Sequence, residues 1–452
     1  MDEKVSRYLV ISEQTFGDGD GLRTKVLYAT RTAELMFVVP EVADSLGRGD
    51  LSAISPGMLA KLRQAQVVVP AAEDELAAIV DRNRAAGRDI SRVQYILMPT
   101  SYCNMGCVYC GQEHVQGRLG SDHRDRIRDR VLRAARLPST EHLQIDWFGA
   151  EPMMGYAAIK DLSADFIRVA DERGLGYSSE IVTNGSLLTP RNLEVLIQEC
   201  RITKFDITID GPPEIHDQHR PLKAGGHSFW KIIKTIKKVI DDPAHAHVRF
   251  EFRTNVDIHN QDSISRYIDL MAELSFGRPN VTFLLMRVRP WSNDVSAIEM
   301  AKTDFAEQEL GWLRQMHDRG LTFMRMPNLA KKVTCPAVRT SSELISGKGD
   351  IFSCTDQPLV PGLEQETVLG HVTDVELEVF RPRGLYDNWN DDVEAGKSGC
   401  RECVFLPTCG GMCPKLWREG YAPCPSYKFN VQGRLGLAAE RLGLRQLTTT
   451  AG

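Results

Sequence analysis

The sequence lacks three features that would each define a class of protein. Its start has no basic segment followed by an apolar one, so a secretory signal is not expected. It has no run of about 18 apolar residues, which a membrane-spanning helix would need. Basic residues are not in excess, since the 452 residues carry a net charge of −5, and a generally basic surface is therefore not expected. We predict a cytoplasmic protein that binds neither nucleic acid nor a membrane.

The cysteines are unevenly distributed along the chain. The first 102 residues contain none, three fall within residues 103–110, Cys200 stands alone, and seven lie between Cys335 and Cys424. In a long chain without a secretory signal, clustered cysteines indicate metal ligands rather than disulfides. An oxidising compartment would also damage such thiolates.

Residues 93–325 alternate regularly between strand and helix patterns. Six units follow one another, from the strand "VQYILMPT" to the helix in "KTDFAEQELGWLRQMHDRG". This alternation predicts an α/β fold with a parallel sheet and helices outside it. Six units fit a partial (β/α)6 barrel of the TIM type better than a closed eight-unit barrel, and its active site belongs at the C-terminal ends of the strands.

The pattern changes on either side of this barrel. Residues 1–92 predict a small strand–helix module, for which peptide docking and a purely structural role are both open. Residues 326–430 are loop-rich and dense in Cys, Gly and Pro, so we expect metal ions to stabilise them. Residues 431–452 predict a terminal helix and a polar tail.

The loop after the first barrel strand reads "TSYCNMGCVYCGQE". It places Cys103, Cys107 and Cys110 in a C-x3-C-x2-C pattern. Three thiolates on one loop can bind three corners of an iron–sulfur cube and leave the fourth iron free for an exogenous ligand. The alternative is a structural zinc ion completed by a distant residue such as His114 or Cys200.

This motif, with Tyr109 before its last cysteine and a barrel strand ahead of it, resembles that of the radical S-adenosylmethionine superfamily. The resemblance implies that S-adenosylmethionine chelates the open iron of a 4Fe-4S cluster. The reduced cluster would cleave the cofactor to a 5′-deoxyadenosyl radical, which abstracts a substrate hydrogen. A flavodoxin or ferredoxin would supply the electron.

Other strand ends are similar to further elements of this family. "FGAEP" resembles its Gly-Gly-Glu element, with Gly149, Ala150 and Glu151 in those places. The resemblance implies that Glu151 accepts from the cofactor ammonium, and the small Ala150 still permits a close approach of the backbone. The segments "VTNG", "TIDGPPEIHDQHR" and "FRTN" add three candidates for cofactor binding: Asn184, Asp210 and Arg253. Turn, capping or salt-bridge roles are their alternatives.

The C-terminal cysteines resemble, spacing for spacing, the SPASM extension of this superfamily, which carries two auxiliary 4Fe-4S clusters. The pattern is Cys335-x13-Gly349-x4-Cys354, followed by Cys400-x2-Cys403-x5-Cys409-x3-Cys413-x10-Cys424. Carried over, the ligands of the first auxiliary cluster would be Cys335, Cys354 and Cys413. Those of the second would be Cys400, Cys403, Cys409 and Cys424. An eighth cysteine has no counterpart in residues 336–353, so the first auxiliary cluster would have an open iron or a non-cysteine ligand such as Asp356.

These resemblances imply an enzyme with three 4Fe-4S clusters that acts on peptides. The N-terminal module resembles the leader-recognition element of ribosomal-peptide (RiPP) maturases. Our first hypothesis is a radical oxidoreductase that installs a side-chain crosslink, carbon–carbon or thioether, in a precursor peptide with a leader.

Several alternatives stay open. In anaerobic sulfatase maturases, which form formylglycine, an acid directly after the second auxiliary cysteine acts as base. Here Thr355 holds that position and Asp356 follows it, which disfavours this reaction. Epimerisation of a peptide and oxidation of a small molecule are further alternatives. A non-enzymatic zinc-bound interaction module would give a colourless protein.

Overall fold

A computed structural model describes residues 2–18, 20–115, 119–374 and 378–447. The N-terminal part has two small antiparallel sheets and three helices. Its elements are β1 (Glu3–Val5), β2 (Leu9–Ile11), β3 (Phe16–Gly17), β4 (Arg23–Ala29), β5 (Glu34–Val38), α1 (Pro40–Arg48), α2 (Pro56–Gln64), β6 (Val68–Pro70) and α3 (Glu75–Arg88). Strands and helices both occur here, as the sequence pattern of residues 1–92 indicated.

The central part is the predicted series of strand–helix units. Its elements are β7 (Arg92–Leu97), α4 (Ser121–Ala135), β8 (His142–Trp147), α5 (Tyr156–Arg173), β9 (Gly176–Thr183), α6 (Pro190–Gln198), β10 (Ile202–Thr208), α7 (Pro213–His219), α8 (Phe229–Ile240), β11 (Arg249–Val256), α9 (Ile264–Glu273), β12 (Val281–Arg287) and α10 (Lys302–Asp318). Strands β7 to β12 pair in chain order and all in parallel. The predicted α/β fold is therefore confirmed.

Each strand of this sheet has two different faces. Residues on one face, such as Tyr95, Trp147 and Phe205, are buried in the main apolar core together with residues of the surrounding helices. The alternate residues lie on the inner face and are largely polar, as in the hydrogen bond from Gln94 to Asp146 at 2.6 Å. The inner face of the barrel is therefore a polar surface beneath the strand ends.

The C-terminal part continues the same sheet. Its elements are β13 (Ser342–Ile345), β14 (Asp350–Phe352), α11 (Leu363–Thr367), β15 (Gly370–His371), α12 (Trp389–Glu394), α13 (Leu406–Cys409), α14 (Pro414–Arg418), α15 (Tyr427–Glu440) and β16 (Arg445–Gln446). Strand β13 is parallel to β7, and β14 and β15 follow it antiparallel. The four buried residues of β13 pair with the otherwise open edge of β7. The predicted terminal helix is confirmed as α15, but β16 in the predicted tail pairs with β3.

The N-terminal part also shares apolar core with the C-terminal part. Tyr8 and Ile79 are buried in one cluster with Trp389, and Phe16 is buried in another with Tyr427. These contacts hold the N-terminal helices and strands against the region that carries the later cysteines. Within the described residues, no helix is both long enough and apolar enough to cross a membrane.

Candidate active site and metal centres

The loop with the first three cysteines leaves the C-terminal end of β7 and is held by backbone hydrogen bonds. The amide of Gly106 donates to the carbonyl of Pro221 at 2.9 Å, and that of Val108 donates to the carbonyl of His219 at 3.1 Å. The loop is therefore fixed against the chain that follows β10, on the side where the parallel strands end.

The three thiols on this loop lie close enough together for their charges to interact. Burial raises the pKa of Cys103, Cys107 and Cys110, that of Cys107 to about 12, and nearby Arg220 opposes the rise. A thiol with such a pKa stays protonated at neutral pH unless a metal displaces the proton. Three thiols on one loop, one buried and two half-buried, are a donor set suited to an iron–sulfur cluster.

Glu151, at the end of β8, is completely buried beside these thiols. Its Oε1 accepts from Thr183 Oγ1 at 2.6 Å and from the amide of Met153 at 2.9 Å, and its Oε2 accepts from the amide of Asn184 at 2.7 Å. The side chain of Asn184 in turn donates to the sulfur of Cys103 at 3.8 Å. Burial raises the pKa of Glu151 and these hydrogen bonds oppose the rise. Glu151, Asn184 and Cys103 are thus brought together, and Oε2 can accept one more donor.

The two residues before Glu151 have an unusual backbone. Gly149 has φ +81°, and an added Cβ there would overlap the side chain of Met98. Ala150 has φ +41°, a left-handed conformation that costs a residue with a side chain on the order of 1–3 kcal/mol. The backbone at these two positions therefore turns sharply to direct the Glu151 side chain inward.

Tyr109 links the cysteine loop to two other strand ends. Its hydroxyl donates to Asp210 Oδ2 at 2.7 Å, and it accepts from Asn255 Nδ2 at 2.8 Å and from the guanidinium of Arg220. Asp210 and Arg220 are buried and Tyr109 is half-buried, so these charge-assisted bonds are largely shielded from water. The predicted pair Tyr109 and Asp210 is therefore in direct contact.

His219 completes this network between two carboxylates. Its ring nitrogens lie 3.0 Å from Asp210 Oδ2 and 2.8 Å from Asp257 Oδ2, and its ring packs on Tyr109 at 5.1 Å between centroids. Burial alone would lower the pKa of His219, but the two carboxylates outweigh it and raise the pKa to about 9. The imidazole is then a cation that donates at both nitrogens. Of these groups, the sequence motifs pointed to Arg220 as part of a segment at the mouth of the site, but they gave no sign of His219 in α7, of Asn255 near the end of β11 or of Asp257 just after it.

Arg253 is the one predicted cofactor-binding residue that does not join these groups. Its guanidinium pairs with Asp206 at 2.8 Å on the inner face of the barrel, near the pair of Lys204 and Glu180 at 3.4 Å. This is the structural salt bridge that was its alternative, and its contact with a cofactor carboxylate stays a prediction.

The cysteines predicted for the first auxiliary cluster come together around Asp356. Burial, together with the charges of Cys413 and Asp356, raises the pKa of Cys335 to about 12. The amide of Asp356 donates to the sulfur of Cys354 at 3.4 Å. These four residues all line a cavity of about 1430 Å³ between the barrel and the C-terminal part. Asp356 is therefore close enough to be considered as the missing ligand or as a base.

The other four cysteines form a second group. All four line one small cavity, and Cys409 and Cys424 also line the large one: Cys400, Cys403, Cys409 and Cys424. The ammonium of Lys428 donates to the sulfur of Cys424 at 3.7 Å. The indole nitrogens of Trp389 and Trp417 donate to the carbonyls of Gly410 and Gly411, both at 2.9 Å, and hold the chain around Cys409 in place.

These groups differ from a site for one metal ion. Across the described residues, no three His, Cys, Asp or Glu side chains converge on a point that could hold a single ion. A tetrahedral zinc site needs all its ligands within about 2.3 Å of one centre, whereas the cysteines of a 4Fe-4S cluster bind separate irons and lie farther apart. Cys200, a candidate for completing a zinc site, lies instead in the main apolar core.

The partial parallel barrel with a three-cysteine loop after its first strand can be compared with known protein families. The family profile of the Radical SAM superfamily matches residues 97–242. The chain therefore contains a radical S-adenosylmethionine domain, which implies S-adenosylmethionine and one 4Fe-4S cluster.

The chain is also similar to individual proteins in sequence and in fold. It is 24% identical over 362 residues to the serine-type anaerobic sulfatase-maturating enzyme of Bacteroides thetaiotaomicron, across 69% of this chain and 80% of that protein. Its fold is similar to that of native anSMEcpe with bound AdoMet and Cp18Cys peptide, with a TM-score of 0.57, 16% identity, and coverage of 78% of this chain and 98% of that one. SuiB of Streptococcus suis bound to precursor peptide SuiA reaches a TM-score of 0.48 at 14% identity, over 93% and 98% of the two chains, a likeness too weak for any conclusion.

Unpartnered polar atoms around the cysteine loop fit a bound cofactor. Buried nitrogens without a hydrogen-bond partner include Gln112 Nε2, Arg220 Nε and Trp291 Nε1. Gln112 follows the last cysteine of the loop, and the 291–293 segment contacts the loop, since Asn293 donates to the carbonyl of Tyr109 at 3.2 Å. Buried donors of this kind require a partner, and a polar cofactor beside the loop would provide one.

Proposed function

We propose that the protein is a radical S-adenosylmethionine enzyme with three 4Fe-4S clusters that removes two hydrogens from a peptide substrate. The product we propose is a side-chain crosslink in a ribosomally made precursor peptide. When bound, the cofactor and the clusters supply a hydrogen-abstracting radical and an acceptor for the second electron. The substrate thus loses one hydrogen atom, one electron and one proton.

The residues of the cysteine loop and the adjacent strand ends would hold the cofactor and its cluster. Cys103, Cys107 and Cys110 supply the thiolates. Glu151 supplies a carboxylate oxygen that can accept a further hydrogen bond from an ammonium, because only one hydrogen bond reaches its Oε2. Tyr109, Asn184 and Asp210 hold the walls of this site in place through the bonds described above.

Asp356 is the residue to which we assign the role of base, which accepts the proton that the substrate loses. Its carboxylate has no cationic partner within 4 Å among the described residues, and it lines the large cavity together with Cys354 and Cys413. A base is required whether the product is a crosslink or an aldehyde, because in both reactions the second hydrogen leaves as a proton. Cys335, Cys354 and Cys413 would be the ligands of the first auxiliary cluster, and the four cysteines of the other group would be those of the second.

The main support for a peptide as the substrate is the large cavity. Its volume is about 1430 Å³, of which an auxiliary cluster on Cys335, Cys354 and Cys413 would occupy a part. The cavity extends from Met286 and Arg287 at the end of β12 to Cys335 and Asp356 in the C-terminal part. A substrate in it would reach both the strand ends and the auxiliary cysteines, which disfavours oxidation of a small molecule.

Formylglycine formation on a serine is the second candidate, and the Bacteroides relative favours it. That relative is described as a serine-type sulfatase-maturating enzyme. Against this candidate, Thr355 rather than an acid directly follows Cys354. Both reactions remove two hydrogens, so the products must be distinguished chemically.

The test is mass spectrometry of a peptide encoded beside the gene, after anaerobic reaction with the reconstituted enzyme, S-adenosylmethionine and a reductant. A loss of two hydrogens that does not react with a hydrazide indicates a crosslink, and a loss that does react indicates formylglycine. An unchanged mass with solvent deuterium incorporated indicates epimerisation and would refute the proposal. The Asp356→Asn variant should still cleave the cofactor but form little product, whereas Asp350→Asn, outside the cavity in the same part of the chain, should behave like the parent.

A further inference from the structure

The lining of the large cavity has a charge opposite to that of the whole protein. Ten of its lining residues are Arg or Lys and only three are Asp or Glu, whereas the chain has a net charge of −5. Like charges gathered in one concave surface raise the local potential and attract ligands of the opposite sign.

Most of these cations lack a carboxylate partner. Arg253, Arg287 and Arg434 form ion pairs with Asp206, Glu299 and Glu309 respectively. The other seven have no acidic side chain within 4 Å among the residues that the structure describes. Burial and the neighbouring Arg92 lower the pKa of one of the seven, Arg339, so these cations repel one another.

One of the seven cations without a carboxylate partner lies close to cysteines and acts on them. Lys331 opposes the increase that burial causes in the pKa of Cys335 and Cys409, so its charge favours their thiolates. Arg289, which follows β12, and Lys332 are both exposed. Their ammonium and guanidinium groups are accordingly available to a ligand that enters from solvent.

The same cavity has apolar side chains at its exposed side. Met324, Leu329 and Phe429 all line it, and they are 44%, 76% and 42% exposed respectively. Large apolar side chains exposed beside unpaired cations indicate a ligand that combines carboxylates with apolar groups. A nucleic acid would instead need several exposed aromatic platforms for its bases, whereas four of the six aromatic residues in the lining are buried.

The cavity also reaches the cysteine loop through one strand. Arg253 lines it, and Asn255, two positions later on the same face of β11, donates to the hydroxyl of Tyr109. A chain bound along the cavity therefore ends close to the site where hydrogen abstraction is proposed.

We propose that this cavity binds an acidic segment of the peptide substrate, in which carboxylates lie among large apolar side chains. The inference rests on the proposed function, because it specifies the substrate of that same site. The carboxylates would come from Asp and Glu side chains rather than from a chain terminus, since the unpaired cations extend from Arg92 and Arg339 to Arg289.

The test measures binding of a fluorescent model peptide, built from glutamate and leucine with both termini blocked, to the anaerobically reconstituted holoenzyme. Its twin has glutamine in place of every glutamate. The double variant Arg289→Glu/Lys332→Glu should bind the glutamate peptide about tenfold more weakly, because two exposed charge pairs become repulsive. The matched control is Lys234→Glu/Lys238→Glu on α8, which makes the same charge change at two exposed lysines outside the cavity and should leave affinity unchanged.

Three results would overturn the inference. They are equal affinity for the glutamine twin, equal losses in the two double variants, and tighter binding of a single-stranded oligonucleotide that displaces the peptide. Reductive cleavage of S-adenosylmethionine is measured on the same preparations. Cleavage without selective peptide binding refutes only the inference, whereas selective binding without cleavage refutes the proposed function.

Discussion

The charge network around Tyr109 leads to a quantitative prediction for His219→Phe. The phenylalanine keeps the ring that packs on Tyr109 but removes the cation between Asp210 and Asp257, both of which are 0% exposed. Removing one partner of a buried ion pair typically destabilises a protein by about 3–5 kcal/mol. The entropy of unfolding is about 2.1 cal/mol/K per residue. For 452 residues that unfold together, the loss corresponds to a fall in Tm of about 3–5 °C.

The pH dependence of stability gives a second estimate of the same interaction. The pKa of His219 in the folded protein is about 9, above the value of about 6.5 of an unperturbed histidine. Because the folded pKa is the higher one, the stabilisation is complete below about pH 6.5 and is lost as the pH rises through about 9. Each pKa unit is worth about 1.36 kcal/mol, so about 3 kcal/mol of stability disappears across this range.

The assay is thermal unfolding of the anaerobically reconstituted protein, followed by circular dichroism from about pH 6 to about pH 10. The parent protein should lose stability across this range and His219→Phe should not, beyond what other groups contribute to both. His216→Phe is the matched control, because His216 is also buried on α7 but burial lowers its pKa to about 4. Equal pH slopes in the parent and in His219→Phe would refute the assignment of a charged histidine.

Three further predictions test other parts of the structure. Arg130→Leu should lower the free energy of unfolding by about 3–5 kcal/mol, because it leaves Glu343 of β13 unpaired at 4% exposure; the added change Glu343→Leu should restore most of the loss in denaturant unfolding. Ala150→Gly should raise stability by about 1 kcal/mol, since it relieves a φ of +41°, and it should keep cofactor cleavage; a lower Tm would contradict this. Cys107→Ala should abolish formation of 5′-deoxyadenosine, whereas Cys403→Ala should allow it and block only the peptide product; 5′-deoxyadenosine from Cys107→Ala would show that the first cysteine assignment is wrong.

Local patterns in the sequence were sufficient to predict the barrel. The helix that ends at Gly174 does so because glycine there adopts φ +63°. The helix that begins at Pro190 is capped by Thr189 and Asn192 in a capping box. Interactions of this kind lie within a few residues, so a single sequence displays them.

Contacts between distant segments could not be predicted in this way. The hydroxyl of Tyr109 meets residues about a hundred positions away, such as Asp210, and only the pairing of the strands brings these residues together. The burial of Tyr8 with Trp389 likewise depends on how the N-terminal part packs against the cysteine-rich part. The cysteine spacing suggested a grouping of the thiols and a place for Asp356 beside the first auxiliary cluster, but it gave no sign of the cationic cavity that Asp356 lines.

Iron content tests the central claim most directly. After anaerobic reconstitution and removal of unbound iron, we expect about twelve irons per chain and a similar amount of sulfide, because three four-iron clusters are proposed. The Cys107→Ala and Cys403→Ala variants should each lose about four irons. A parent protein that holds about four irons, or zinc in place of iron, would contradict the assignment of the C-terminal cysteines to two auxiliary clusters.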